Sequence, residues 1–199
     1  MICRASFAMA LLLLFGCAAI HMPGDREGCP VDLVSTNQLP DGLSLRARMR
    51  IKVAKHDIPF EVVARSTPDA LNIVGITPYG TRLFKLQQQG RQYSVAPETS
   101  PEARIVAIYA LDALYRAYWI QPPGEATSWN RGGEHISESR EKGERRRKFR
   151  RTGWGAGFRS VRVAYNDVDG FPGGQDARVE NPWCGYRAAI ALLDASEKG

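Results

Sequence analysis

The sequence predicts a mainly β protein: an antiparallel sheet crossed by one long helix, with the helix lying over the sheet as a lid. Three observations lead there. Apolar and polar residues alternate with a period of two through a series of short segments, separated by clusters of Gly, Pro, Asn and Asp. Residues 101–119 break that rhythm, with Ile105, Ile108, Tyr109, Leu111, Tyr115 and Tyr118 at helical spacing. A chain of 199 residues that is 44% hydrophobic can bury one sizeable core, which excludes a wholly disordered polypeptide. The formal charge of +6 makes it basic without naming a partner.

The first element is an address. Residues 1–4 form a short n-region with one charge, and residues 5–15 an apolar h-region. The run Leu14-Phe15-Gly16-Cys17 resembles the bacterial lipobox. That resemblance implies a signal peptide over residues 1–16 and lipidation of Cys17, with a diacylglyceryl thioether and a palmitate-type acyl group on the new amine. Several acyl chains, at ~0.8 kcal/mol per buried CH₂, make a stable anchor. Ala18 follows the cysteine where the inner-membrane signal is an aspartate, so the resemblance implies the periplasmic face of the outer membrane. Cys3 leaves with the signal, so Cys29 and Cys184 remain, either bridged or as two thiols, in a compartment that permits disulfides. Residues 17–42 are then the lipidated N-terminus and a Gly-, Pro- and Asp-rich tether, and residues 43–199 the folded domain.

Leu43, Leu45, Ala47, Met49, Ile51 and Val53 alternate with Ser44, Arg46, Arg48, Arg50, Lys52 and Ala54, a strand with one apolar and one largely cationic face. Residues 56–59 are expected to turn, and Phe60, Val62 and Ala64 to form the inner face of a second strand. Leu71, Ile73 and Gly75 mark a third, residues 82–88 a fourth and residues 91–96 a fifth, joined by tight turns at 77–80 and 89–90 as in a meander. Pro101 suits a first helical turn, and Pro122-Pro123-Gly124 ends the helix. Residues 129–143 read as a polar, Gly-rich stretch and 145–151 as a basic one. Strands are expected to resume at 158–165, with one or two more in 177–193 broken at Asn181-Pro182.

No catalytic constellation is visible, so the chain is read as not an enzyme. It lacks a G-x-S-x-G elbow, a P-loop, an H-E-x-x-H and a C-x-x-C, and His21, His56 and His135 share no metal-ligand spacing; no cofactor or metal is expected. Residues 166–170 have the outline of a calcium loop, but Tyr165 stands at its first carboxylate position and a hairpin turn explains them more simply. The cluster Arg140, Lys142, Arg145, Arg146, Arg147, Lys148, Arg150 and Arg151 is either a solvated strand face or a contact for anions. Export removes nucleic acid, leaving lipid headgroups, lipopolysaccharide phosphates or an acidic protein to meet Arg145, Arg146, Arg147, Arg150 and Arg151. A curved sheet under a helix makes either a filled core or a pocket for a greasy ligand, and alternation alone does not separate the two.

Residues 69–86 (DALNIVGITPYGTRLFKL), the helix from Pro101, and Asn181-Pro182-Trp183-Cys184-Gly185-Tyr186-Arg187 are similar to a family of bacterial lipoproteins encoded beside aryl polyene biosynthesis genes. That family is thought to share the fold of the lipoprotein carriers LolA and LolB. The resemblance implies a half-open antiparallel β-barrel of ten or eleven strands with a hydrophobic cavity, and a role in binding or handing over a lipid-like cargo; the chain is expected to be a monomer. Leu45, Met49, Ile51, Val62, Ile73, Phe84, Leu86 and Tyr93 from the sheet, with Ile105, Ile108 and Tyr115 from the lid, would line that cavity. The alternative is a lipoprotein with a filled core that docks to an envelope complex through its Arg-rich segment.

Overall fold

The computed structural model describes residues 29–141, 144–152, 160–166 and 176–196. The signal peptide, the Cys17 anchor, Lys142 and the turn at 167–170 lie outside the described residues. Five strands lead off: β1 Ser44–Val53, β2 His56–Ser66, β3 Ala70–Ile76, β4 Arg82–Gln89 and β5 Gln92–Val95. Helix α1, Pro101–Leu114, follows and runs on as a π-helical turn over Tyr115–Trp119. Six more strands follow among the described residues: β6 Ser128–Arg131, β7 Glu134–Glu141, β8 Glu144–Arg151, β9 Ser160–Asn166, β10 Asp176–Asn181 and β11 Tyr186–Ser196.

All eleven strands belong to one antiparallel sheet, ordered β5-β4-β3-β2-β1-β11-β10-β9-β8-β7-β6. Two meanders are thus joined at their long strands, where β1 pairs with β11 from Ser44–Ser196 to Val53–Tyr186. The sheet is not closed: β5 and β6 are its two edges, and α1 carries the chain from one to the other. Both edge strands have only four residues, which limits the unpaired backbone they present.

The burial pattern of β1 alternates without a break, so Leu45, Ala47, Met49 and Ile51 face α1 and Arg46, Arg48, Arg50 and Lys52 face away. Ser100 caps α1 by accepting a hydrogen bond from the amide of Ala103 at 3.2 Å, and Pro101 occupies the first turn, where an amide donor is not needed. From Val106 to Ile120 every residue is buried. A helix apolar all round needs cover on every side, and the sheet supplies only part of it.

The rest comes from residues 29–43. Composition reads residues up to 42 as tether, yet Val31, Leu33, Val34 and Leu39 are in the core with Leu43. The Val31 amide donates to Asp112, the Val34 carbonyl accepts from Gln88 at 2.7 Å, and the Thr36 amide donates to the Gly90 carbonyl at 3.1 Å. Cys29 is disulfide-bonded to Cys184 in the β10–β11 turn, with Cα atoms 5.9 Å apart. The arm therefore runs inside the half-barrel from that turn to the start of β1.

Two local expectations change. The β1–β2 turn is at Ala54-Lys55, and residues 56–59 are paired strand. Pro59 is tolerated there because β3 pairs with β2 only from Glu61 onward, leaving no neighbour that needs its missing donor. Residues 129–143 contain the β6–β7 hairpin rather than a loop, turning at Gly132-Gly133, both at positive φ.

Candidate functional site

The residues expected to line a cavity are brought together, but as packed core. Leu45, Ile51, Val62, Ile73 and Leu86 are 0% exposed, so no water-sized space adjoins them. Met49, Phe84, Ile108 and Tyr115 are buried with them, and Tyr93 and Ile105 pack at the margin. Phe84 lies over Gly75, where an added Cβ would come within 2.3 Å of its ring. Helix α1 and the N-terminal arm pack against this apolar face in the same core cluster.

The arginine run is divided by strand geometry. Successive side chains of β8 point to opposite faces, so Arg145, Arg147, Phe149 and Arg151 face inward while Arg146, Lys148 and Arg150 face out. Arg147 cannot meet an external anion. Its guanidinium is buried, pairs with Glu138 at 2.5 Å, and donates to the carbonyls of Arg116 and Ile120, which the helix end leaves without amide partners. Tyr165 donates to the Ala117 carbonyl at 2.9 Å beside it. Arg145 stacks over Tyr165 and Arg151 over Trp183, with 4.6 and 4.7 Å to the ring centres. Arg146 is neutralised by Glu141 and Glu144, leaving Arg150 exposed.

A buried ionic cluster, unforeseen from the sequence, ties the interior together. Asp112 accepts hydrogen bonds from the Val31 amide, Arg116, Asn181 and Tyr186. Arg116 in turn grips Glu134 with two hydrogen bonds of 3.1 Å. Burial pulls the Arg116 pKa down, but the carboxylates of Asp112 and Glu134 more than reverse this, so it stays charged. Burial also pushes the Tyr186 phenol well above its ordinary range, and the Asp112 charge adds to it. Every polar atom named here is engaged within the cluster, which suits it to fastening the arm, α1, β7 and the β10–β11 turn together. The visible signal was an Asp-x-x-x-Arg pair at helical spacing inside an apolar helix.

The accessible site lies on the other face of the sheet. A hollow of about 850 Å³ is bordered by Arg46, Arg48 and Arg50 of β1, Pro59 and Glu61 of β2, Ile76 to Pro78 after β3, Ala164 and Asn166 of β9, Arg178 of β10, and Ala189 and Ala191 of β11; Met49, alone of the residues expected to line a cavity, also touches it, and Glu144 and Asp176 stand at its rim. Register explains the grouping. Arg48 stands between Glu61 and Ala191, and Arg50 lies beside Ala189, which lies beside Arg178 and then Ala164. Small side chains on β9 and β11 thus make a low floor between taller arginines. Two further hollows, of about 160 and 570 Å³, continue along the same face past Lys52, Glu180 and Arg187 to the β10–β11 turn.

Charge on this face is partly spent. Arg46 pairs with Glu61 at 2.5 Å, and that hydrogen bond holds the Glu61 carboxyl below its usual range. Arg50 is 3.5 Å from Asp57. Arg48 and Arg178 are exposed; Arg48 lies opposite Glu61 in the sheet and its charge also helps lower that carboxyl, but Glu61 is hydrogen-bonded to Arg46. Chemically the hollow can accept an apolar chain over Ile76, Ala164, Ala189 and Ala191 and an anionic group at Arg48 and Arg178. The cationic face of β1 was legible from its alternation; the alanine floor was not, since it needs β11 and β9 laid beside it.

No curated protein matches the chain. A crystal structure of a DUF1329 family protein from Desulfovibrio piger ATCC 29098 is similar over 80% of this chain and 86% of that one, at 12% identity and a TM-score of 0.34. The model of the family described as a protein of unknown function, DUF3261, matches residues 44–194, from the first residue of β1 into β11, and the chain belongs to that family.

Proposed function

We propose that this chain is a lipid-anchored protein of the outer membrane, non-enzymatic, that binds a lipid-like molecule with an anionic head and presents or hands it over at the periplasmic face. The cargo class is the one the sequence resemblance suggests, the acyl chains of a lipoprotein or an aryl polyene lipid. The observation that carries the reading is the 850 Å³ hollow, within the roughly 300–1,000 Å³ range of ligand sites, with an alanine-rich floor and Arg48 and Arg178 as available cations. Apolar contact would supply affinity at about 25 cal/mol per Å² buried, without directional specificity, so related chains would be accepted. Cargo would lie on the face away from α1, because the face toward α1 is filled.

The test is native mass spectrometry with solvent extraction on the full chain taken from its own envelope. A co-purifying lipid-like mass is expected, with occupancy reduced about tenfold or more in R48E/R178E and in A189W/A191W. A clean mass after incubation with membrane extract overturns the reading, as does occupancy unchanged in both variants.

A further inference from the structure

We infer that one end of the sheet, the end bearing the β1–β2 and β10–β11 turns, is seated on an anionic lipid bilayer surface. This rests on the lipid-anchor part of the reading above and not on the cargo.

The first observation is the disulfide. Cys29 is bonded to Cys184 in the β10–β11 turn, so the N-terminal arm is fastened to the domain at that end. The eleven residues 18–28 lie between the expected lipidated Cys17 and Cys29. Fully extended they reach at most about 40 Å, comparable to a small domain's width, so the attachment point is the part of the domain held nearest the membrane.

The second observation is charge. In an antiparallel sheet the strand ends alternate, so the C-terminal ends of β1, β8 and β10 and the N-terminal ends of β2, β9 and β11 share this end. Around these two turns Lys52, Lys55, Arg150, Arg162 and Arg187 are exposed, against the exposed carboxylates of Asp57 and Glu180; further along the same end Arg82 pairs with Glu98 at 2.9 Å. Glu180 is shared between Arg162 at 3.9 Å and Arg187 at 3.6 Å, too distant to neutralise both. The far end has no such excess, with Asp41, Asp69, Glu141, Glu144 and Asp194 among Arg65, Arg140 and Arg146, while Arg91 reaches Asp32 at 3.8 Å. The cationic excess therefore coincides with the anchor end. Lipid phosphates are the anions a short tether would bring there, and each basic side chain near such a surface adds to the attraction within a Debye length. Seated this way, the hollows of the outer face run up from the bilayer, with the one beside Lys52 and Arg187 nearest to it.

The experiment uses the full chain, purified in detergent from an envelope and reconstituted into vesicles of phosphatidylcholine with or without phosphatidylglycerol, read by amide hydrogen exchange. Residues 52–57 and 182–187 are expected to gain protection only with phosphatidylglycerol present. The gain should fall at least severalfold in high salt and in the K52S/R162S/R187S variant, but not in the far-end control R65S/R140S. Equal protection without anionic lipid overturns the proposal, as does protection at residues 67–69 and 90–91 instead. The mass of the N-terminal peptide is read from the same sample, so a missing anchor is recognised separately. An unlipidated chain that still pellets with the anionic vesicles supports the surface, and one that does not, or that is captured only by a soluble acidic protein, overturns it.

Discussion

Arg147 belongs to the most basic run of the chain, yet its guanidinium closes the end of a buried helix. Removing it would strand the Glu138 carboxylate and the carbonyls of Arg116 and Ile120 together. Breaking a buried pair from one side costs about 3–5 kcal/mol, whereas an exposed neighbour changes stability by roughly 0.5 kcal/mol or less. R147M is therefore expected to lose about 3 kcal/mol or more in urea unfolding, and R150S almost nothing; equal losses would contradict the inward placement. Ala54 is the opposite case, an ordinary side chain at φ 51° in a two-residue hairpin turn. Left-handed backbone costs a Cβ-bearing residue about 1–2 kcal/mol that glycine avoids, less glycine's greater entropy loss. A54G should raise the urea midpoint by the equivalent of about 0.5–1 kcal/mol.

Among the elements, the N-terminal arm depends most on the rest of the molecule. It makes no regular secondary structure beyond a single 3-10 turn at Thr36–Gln38, yet it covers the side of α1 that the sheet leaves open. The Cys29–Cys184 bridge spans 155 residues, so its loss frees a long loop in the unfolded chain. The expected cost for C29S/C184S is about 2–5 kcal/mol in thermal or urea unfolding, with the earliest gain in hydrogen exchange at residues 31–36. Uniform exchange throughout the domain would argue against an arm held mainly by the bridge. The β6–β7 hairpin shows why some elements were illegible. Its inward position Glu134 is charged, so alternation failed there, and its burial makes sense only beside Arg116. The arm was illegible for a related reason, because Val31, Leu33 and Val34 form too short an apolar run to signal burial until α1 lies against them.

For the whole molecule, the interior is held by uncharged phenols as well as by hydrocarbon. Burial raises the Tyr115 phenol to about 12, with the Gln88 hydrogen bond opposing it, and burial likewise raises Tyr118, Tyr165 and Tyr186. In the unfolded chain these groups ionise near pH 10, so above that pH the unfolded state has released protons that the folded state still holds. The stabilisation is complete below about pH 10 and is lost as pH rises toward 12. The melting temperature should fall steeply over that interval, and less steeply in Y115F; a flat profile to pH 12 would exclude the mechanism.

The sequence by itself determined the alternating strands, the helix over residues 101–119 with Pro101 in its first turn and its Pro-Pro-Gly stop, and the cationic face of β1. These follow from side-chain direction and local backbone preference, which act over a few residues. Tertiary structure alone decided that β1 pairs with β11, that the arm and α1 fill the concave side, and that Arg147 faces inward while Ala189, Ala191 and Ala164 lie beside Arg48 and Arg178. Each depends on segments distant in sequence competing for the same buried volume. Local pattern says which face of a strand is apolar, and only packing says what covers it.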